Sequence, residues 1–91
     1  MSLIGLSFSA SSLAFLETVP HKFRAQIIKK ARALILDSHP NGAKQLKGIT
    51  TAFGEPIIRE RSGDYRILYV LRSDPIRIVI LDIDNRKDVY K

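Results

Sequence analysis

Arg59-Glu60-Arg61-Ser62-Gly63-Asp64-Tyr65-Arg66-Ile67-Leu68-Tyr69 reads as the end of one strand, a tight turn and the start of the next. Ser62-Gly63-Asp64 is the turn signal, because glycine and a short polar residue accept backbone angles that strand residues resist. Three strands can be read around it. Glu55–Arg61 lies before the turn, Tyr65–Arg72 after it, and Ser73-Asp74-Pro75 separates the latter from Ile76–Ile83. Consecutive strands joined by tight turns form an antiparallel meander.

Toward the N-terminus the period changes. Leu3–Phe8 alternates partly at period two and reads as a first strand. Ser9 to Ser12 are N-cap candidates for a short helix with Leu13, Phe15 and Leu16 turned inward. Pro20 opens a second helix, where its missing N–H costs nothing. Phe23, Ile27, Ala31, Leu34 and Ile35 recur at three and four residues, one face of a helix running to about Asp37. Lys22, Gln26, Lys29, Lys30 and Ala33 fall on the opposite side, and Ser38-His-Pro-Asn-Gly42 stops the helix. Ala43 to Ala52 reads as a basic loop with a helical turn at Ala43–Lys47. The order is β-α-α-β-β-β. It predicts an α+β fold of one domain, residues 1–91, with the N-terminal strand and a helical hairpin packed on one face of a small antiparallel sheet.

That arrangement leaves a surplus of apolar surface. Leu68 and Val70 alternate with Ile67, Tyr69 and Leu71, and Val79 and Leu81 with Ile78 and Ile80, so both strands are apolar on both faces. The helices can cover one face only. The other needs a partner protein, a strongly curled sheet, or the segment 43–54 folded over it.

The chain has 91 residues, 45% of them hydrophobic, enough for a thin core. It has no cysteine, which excludes disulfides and thiolate metal sites and fits a cytoplasmic protein. No apolar run is long enough to span a bilayer, and Met1 to Ser12 lack the basic n-region of a signal peptide. The net charge of +6 implies an anionic partner: RNA, DNA or an acidic protein. Seven Lys/Arg face two acids in residues 1–54, against eight and seven in residues 55–91. The non-specific charge is therefore concentrated in the N-terminal half, and the C-terminal half holds a patterned set.

In that patterned set, Arg59 and Arg61 are two apart and leave the same sheet face. Arg66 begins the next strand across the turn, and Arg86 follows the last strand. A guanidinium is a planar, permanently charged fork that donates two parallel hydrogen bonds to phosphate. Such a group of arginines suits a scissile phosphate and the extra charge of its transition state. Tyr90 is the remaining candidate, since nearby arginines favour its phenolate. Neither His21 nor His39 is placed to act as acid or base. The alternative for Arg59, Arg61 and Arg66 is ordinary cross-strand ion pairing with Glu60, Asp82 and Asp84. Tyr65 and Tyr69 share parity and read as packing residues. Asp82, Asp84 and Asp88 lack further ligands at useful spacing, so neither a metal nor a cofactor is expected.

The Gly63-Asp-Tyr-Arg-Ile-Leu-Tyr69 and Arg86-Lys-Asp-Val-Tyr90 segments resemble the RelE/ParE superfamily of small bacterial toxins of type II toxin–antitoxin systems. The resemblance also takes in the strand, the helical hairpin and Lys44-Gln-Leu-Lys-Gly48. It implies one of two activities, both silenced by a cognate acidic antitoxin. RelE-like members are ribosome-dependent mRNA endonucleases (mRNA interferases) that use the ribose 2′-OH against the adjacent phosphate without metal. ParE-like members inhibit DNA gyrase. Carried over, Arg66 would stabilise the phosphate and Arg86 the transition state or leaving oxygen. Tyr90 would stack on a base and orient or deprotonate the 2′-OH. Arg59 falls where the nucleases often carry a lysine, while the second lysine of that pair falls near Ile57. Arg61 would bind substrate from the same strand. Lys22, Lys29, Lys30, Arg32, Lys44 and Lys47 would dock on ribosomal RNA through phosphates. Arg66, Arg86 and Tyr90 together favour RNA cleavage over gyrase inhibition. An inactive homologue that only binds its antitoxin is the third reading.

Overall fold

The computed structural model describes residues 5–85. Its elements run β1 (Gly5–Phe8), α1 (Ala10–Thr18), α2 (His21–Ala33), β2 (Lys44–Thr50), β3 (Pro56–Ser62), β4 (Tyr65–Arg72) and β5 (Arg77–Asn85). The five strands form one sheet in the order β1-β5-β4-β3-β2. The α+β class, the helical hairpin and the meander match the reading of the sequence. Two features extend it. The segment read as a loop with a helical turn is strand β2, antiparallel to β3 at the sheet edge. Strand β1 joins β5 in parallel, so the sheet is mixed. The polar run Lys44–Thr50 hid its strand because an edge strand buries little: only Leu46 is even half-buried.

Local chemistry sets the element ends. Ser9 caps α1: its hydroxyl accepts from the Ser12 amide at 3.1 Å and donates to the Leu81 carbonyl at 2.7 Å, tying the helix start to β5. A cap of this kind stabilises by about 1 kcal/mol. Arg24 closes the other end. Its guanidinium donates to the carbonyls of Leu16 at 2.8 Å and Val19 at 3.1 Å, satisfying acceptors that a helix end leaves open. Between β3 and β4, Ser62 pairs with Tyr65, and Gly63 takes φ 60° at the first central position of the two-residue turn. That position is where a type II′ hairpin calls for glycine.

One face of the sheet meets the helices. Ile58, Ile67, Tyr69, Ile78, Ile80 and Ile83 pack against Leu16, Val19, Ile27, Ala31 and Leu34 in a single cluster. Tyr69 is wholly buried, and its hydroxyl donates to the Ser38 carbonyl at 2.7 Å, pinning the chain just after α2. Burial pushes that phenol up to about 12, so it stays protonated as a donor. Tyr65 packs its ring 6.1 Å from Phe15 and 5.9 Å from Phe23. Both tyrosines are packing residues, as their parity implied. Leu13 departs from expectation. It is 50% exposed, because α1 seats Ser12 and Leu16 against β5 and leaves Leu13 on its outer side. Phe23 likewise sits at the margin of the core, not within it.

Among the described residues no helix lies on the second face. By register it carries Lys44, Arg59, Arg61, Arg66, Leu68, Val70, Arg72, Arg77, Val79, Asp82 and Asp84. Val70 is fully buried yet lies outside the main core cluster. Of the segment 43–54, residues 44–50 extend the sheet sideways instead of covering this face. The turn after them does reach one end of it. Arg72 forms a two-pronged ion pair with Glu55 at 2.8 Å per contact, and its guanidinium carbon lies 5.1 Å from the centre of the Phe53 ring. Thr51 adds a hydroxyl bond to Glu55 at 2.7 Å.

Two outcomes follow from this packing. Arg72, and then Thr51, hold the Glu55 carboxyl at about 2, against an ordinary 4.5. A depressed folded-state value contributes stability above the unfolded value and loses it as pH falls through the folded one. Glu55→Gln should therefore lower Tm at pH 7, and its deficit against wild type should shrink between about pH 4.5 and 2. Ile67 is wholly buried under the helices. Urea titration of Ile67→Ala should show a loss of roughly 2–5 kcal/mol with an unchanged m-value.

Candidate functional site

The open face places the sequence-selected cations in rows that run across the strands. In the first row Arg61 of β3 stands opposite Arg66 of β4, and Arg66 opposite Asp84 of β5. In the second, Lys44 of β2 stands opposite Arg59 of β3, Arg59 opposite Leu68, and Leu68 opposite Asp82. Side chains directly opposite in an antiparallel pair lie on the same face, so Lys44, Arg59, Arg61 and Arg66 form one cationic patch.

The acids beside that patch are unequally used. Asp84 binds Arg66 through two contacts, at 3.0 and 3.2 Å, with both side chains partly exposed. Here the cross-strand ion pairing weighed from the sequence is realised. It does not extend to the other two arginines. Glu60 lies on the helix-facing side, buried, where its carboxylate accepts from the Arg61 backbone amide at 2.9 Å. Asp82 accepts from the Ile83 amide at 3.0 Å. Among the described residues neither Arg59 nor Arg61 has a salt bridge.

Arg59 carries a further sign of an unmet need. Its Nε is buried and finds no acceptor among the described residues. A buried donor left unpaired costs about 1–3 kcal/mol. Arg61 and Arg66, directly opposed, repel each other, with Asp84 offsetting one charge only. An anion with several acceptor oxygens, placed over Arg59, Arg61 and Arg66, would relieve both costs at once.

The basic residues of the helix are elsewhere. Lys22, Lys29, Lys30 and Arg32 are exposed on α2, on the layer away from the open face. The two layers approach at one point. A depression of about 360 Å³ between α2 and the β3–β4 turn is lined by Gln26, Lys29, Lys30, Ala33, Ser62 and Gly63. Lys29 and Lys30 thus stand beside the turn whose flanks are Arg61 and Arg66. A second depression, about 400 Å³, follows α2 along His21, Arg24, Ile28, Lys29 and Arg32. Lys47 is exposed on β2, in the stretch where pairing with β3 is irregular. Arg86 and Tyr90 lie outside the described residues. The last described residue, Asn85, pairs with Tyr65, next to the Arg61–Arg66 row.

Sequence reasoning did not place Lys44 in this patch, because it read residues 43–52 as a loop. The pairing of Lys44 with Arg59 depends on an edge strand with almost no apolar signature. It also passed over Phe53, Arg72 and Arg77, which meet at the other end of the open face around a depression of about 450 Å³. The signal available there was an aromatic residue within a Thr-Ala-Phe-Gly turn.

No family model and no curated protein sequence matches the chain. Solved structures do. An archaeal RelE in its RelE–RelB complex from Pyrococcus horikoshii superposes with a TM-score of 0.77 at 20% identity, over 93% of this chain and 97% of that one. The RelBE2 toxin–antitoxin complex of Mycobacterium tuberculosis gives 0.73 at 22% identity, over 93% and 100%. The isolated E. coli RelE toxin gives 0.68 at 20%, over 98% and 92%. The chain therefore has the RelE fold, as the Tyr65–Tyr69 and Arg86–Tyr90 motifs implied.

If the patch takes phosphate, its cations must register in salt dependence. Each phosphate contact to a single strand contributes roughly 0.7 to the slope of log K against log salt. Arg61→Ala should weaken binding of a short single-stranded oligonucleotide and reduce that slope by about 0.7, measured by anisotropy titration. An equal loss of affinity at every salt concentration would point to a damaged fold instead.

Proposed function

We propose that this protein is the toxin of a toxin–antitoxin pair and that it cleaves mRNA on the ribosome. The observation that carries this reading is the cationic patch of Lys44, Arg59, Arg61 and Arg66 on the open face of a RelE fold, with the Arg59 Nε lacking an acceptor. The chemistry needs no metal. The ribose 2′-oxygen attacks the adjacent phosphorus, the bond to the 5′-oxygen breaks, and the products are a 2′,3′-cyclic phosphate and a 5′-hydroxyl. The phosphorus passes through a five-coordinate state with added negative charge, which Arg59 and Arg66 would stabilise together with Arg86. Tyr90 would orient the 2′-hydroxyl or take its proton. Either Arg86 or solvent would return a proton to the leaving oxygen.

Arg66 has a double part in this scheme. Its pair with Asp84 holds the guanidinium in place before substrate arrives, so little reorganisation is required of it. A phosphate then shares a fork that is already aimed. Arg61, beside it and without a salt bridge among the described residues, would take the neighbouring phosphate.

Two partners follow from the charge and the uncovered face. Ribosomal RNA would meet the exposed stripe of Lys22, Lys29, Lys30 and Arg32, with Lys44 and Lys47 at the sheet edge. An acidic antitoxin would neutralise the same cations and lay an apolar segment over Leu68 and Val79; the similar RelE chains are found in complexes with an antitoxin. The basic stripe on α2 is also what a gyrase-directed inhibitor would use, since it stands on a separate layer from the arginine patch.

One experiment separates these readings. Inducing the protein in cells, with labelled amino acid and labelled thymidine followed over the first minutes, should stop protein synthesis first and leave DNA synthesis running. Arg86→Ala should remove at least about 99% of that effect, the scale of losing one transition-state donor, while the purified variant keeps its Tm. Early loss of DNA synthesis would replace the nuclease with the gyrase inhibitor. A wild-type chain without effect on growth would leave only an antitoxin-binding homologue.

A further inference from the structure

The far end of the open face holds an aromatic residue in an unusual position. Phe53 is 79% exposed, although the chain offers apolar surface nearby. Its exposure is not the result of a loose loop. The Thr51 hydroxyl accepts from the Phe53 and Glu55 amides at 3.3 Å each and donates to the Glu55 carboxylate at 2.7 Å. The Gly54 amide closes the turn onto the Thr51 carbonyl at 2.9 Å, with Gly54 at φ 80°, where a side chain would be strained. Glu55 is in turn clamped by Arg72, whose guanidinium sits 5.1 Å from the Phe53 ring centre. A bonded turn thus holds one side of a phenyl ring in water and backs it with a cation.

The neighbourhood is suited to a nucleotide. Arg77 stands directly opposite Arg72 across β4 and β5; its guanidinium donates to the Pro75 carbonyl at 2.7 Å and the Ser73 carbonyl at 3.5 Å, and it has no salt bridge among the described residues. Phe53, Glu55, Leu71, Arg72, Ser73 and Arg77 line the depression of about 450 Å³. Glu55 is already matched by Arg72, so Arg77 supplies a surplus positive charge. A flat apolar ring next to that charge is what a base and its phosphate require together, because every base offers a π-face. An apolar protein segment would instead call for a groove without a charged guanidinium at its edge.

Position along the sheet links this site to the first. Arg66 and Arg72 are on the same strand and the same face, six residues apart. At roughly 3.3 Å per residue that is about 20 Å, a distance a single strand covers in a few nucleotides. We propose that Phe53 and Arg77 form a second nucleotide subsite, at which a base stacks on Phe53 while the same RNA strand lies over Arg61 and Arg66 about 20 Å away and over the nearer Arg59. This inference rests on the RNA-binding reading of the arginine patch and adds a remote anchor to it. The pre-formed turn means that little ordering entropy is lost on binding.

The test uses the purified protein and two labelled, non-cleavable 2′-O-methyl RNAs, a trimer and a decamer, followed by anisotropy. Phe53→Ala should weaken the decamer roughly tenfold, the scale of one lost base–aromatic stack, and leave the trimer unchanged. Phe53→Trp should restore the decamer, which a merely structural role for the ring would not predict. Arg77→Ala should reduce the decamer's salt slope and not the trimer's. Since Phe53 is mostly exposed, its two variants should keep the wild-type Tm. Unchanged decamer affinity in Phe53→Ala, with Arg61→Ala weakening both RNAs, would overturn the second subsite alone. Binding of neither RNA by the wild type would overturn it together with the RNA-binding reading on which it rests.

Discussion

A single helical hairpin has to serve a five-stranded sheet, and a helix layer can lie against only one face. The central strand β4 bears that constraint most directly. Its odd positions, Ile67, Tyr69 and Leu71, pack under α1 and α2, and Tyr69 is fastened to the Ser38 carbonyl. Its even positions, Arg66, Leu68, Val70 and Arg72, look the other way. Much else in the molecule follows from this division. The core is thin, no layer among the described residues covers the apolar residues on the second face, and that face holds charge at both ends.

The two ends use arginine differently. At one, Arg72 is bound on two sides by Glu55 and Phe53, and its work is to hold the turn that follows β2. At the other, Arg66 is steadied by Asp84 while Arg59 and Arg61 have no matching acid among the described residues. Residue type alone does not separate an arginine matched by an acid from one that is not. The separation comes from which carboxylate stands opposite, and that is fixed by strand register. Glu60 illustrates the point: next to two arginines in sequence, it faces the core because alternate residues of a strand point to opposite faces.

The molecule's positive charge is likewise spread over two layers that meet at the Ser62–Gly63 turn. Lys29 and Lys30 reach that turn from the helix side, and Arg61 and Arg66 flank it from the sheet side. A large polyanion can therefore contact the helix layer while a single strand enters the sheet layer. The β3–β4 hairpin is where the two cationic layers come together. An acidic partner laid over the sheet would neutralise the cations of that layer.

The sequence by itself determined the α+β class, the helical hairpin and the β3–β4–β5 meander. Those depend on local signals: the period of apolar residues in α2, the serines before α1, and glycine at a turn that needs φ 60°. It also put Arg59 and Arg61 on one face, since period two needs no tertiary information, and Arg66 across the turn from them. Tertiary structure alone decided that Lys44 joins Arg59, that Asp84 takes Arg66 and Glu60 does not, and that Phe53 is held out beside Arg77. These pairings span residues far apart in the chain. They arise from the register of an edge strand and from a bonded turn, neither of which leaves an apolar period to read.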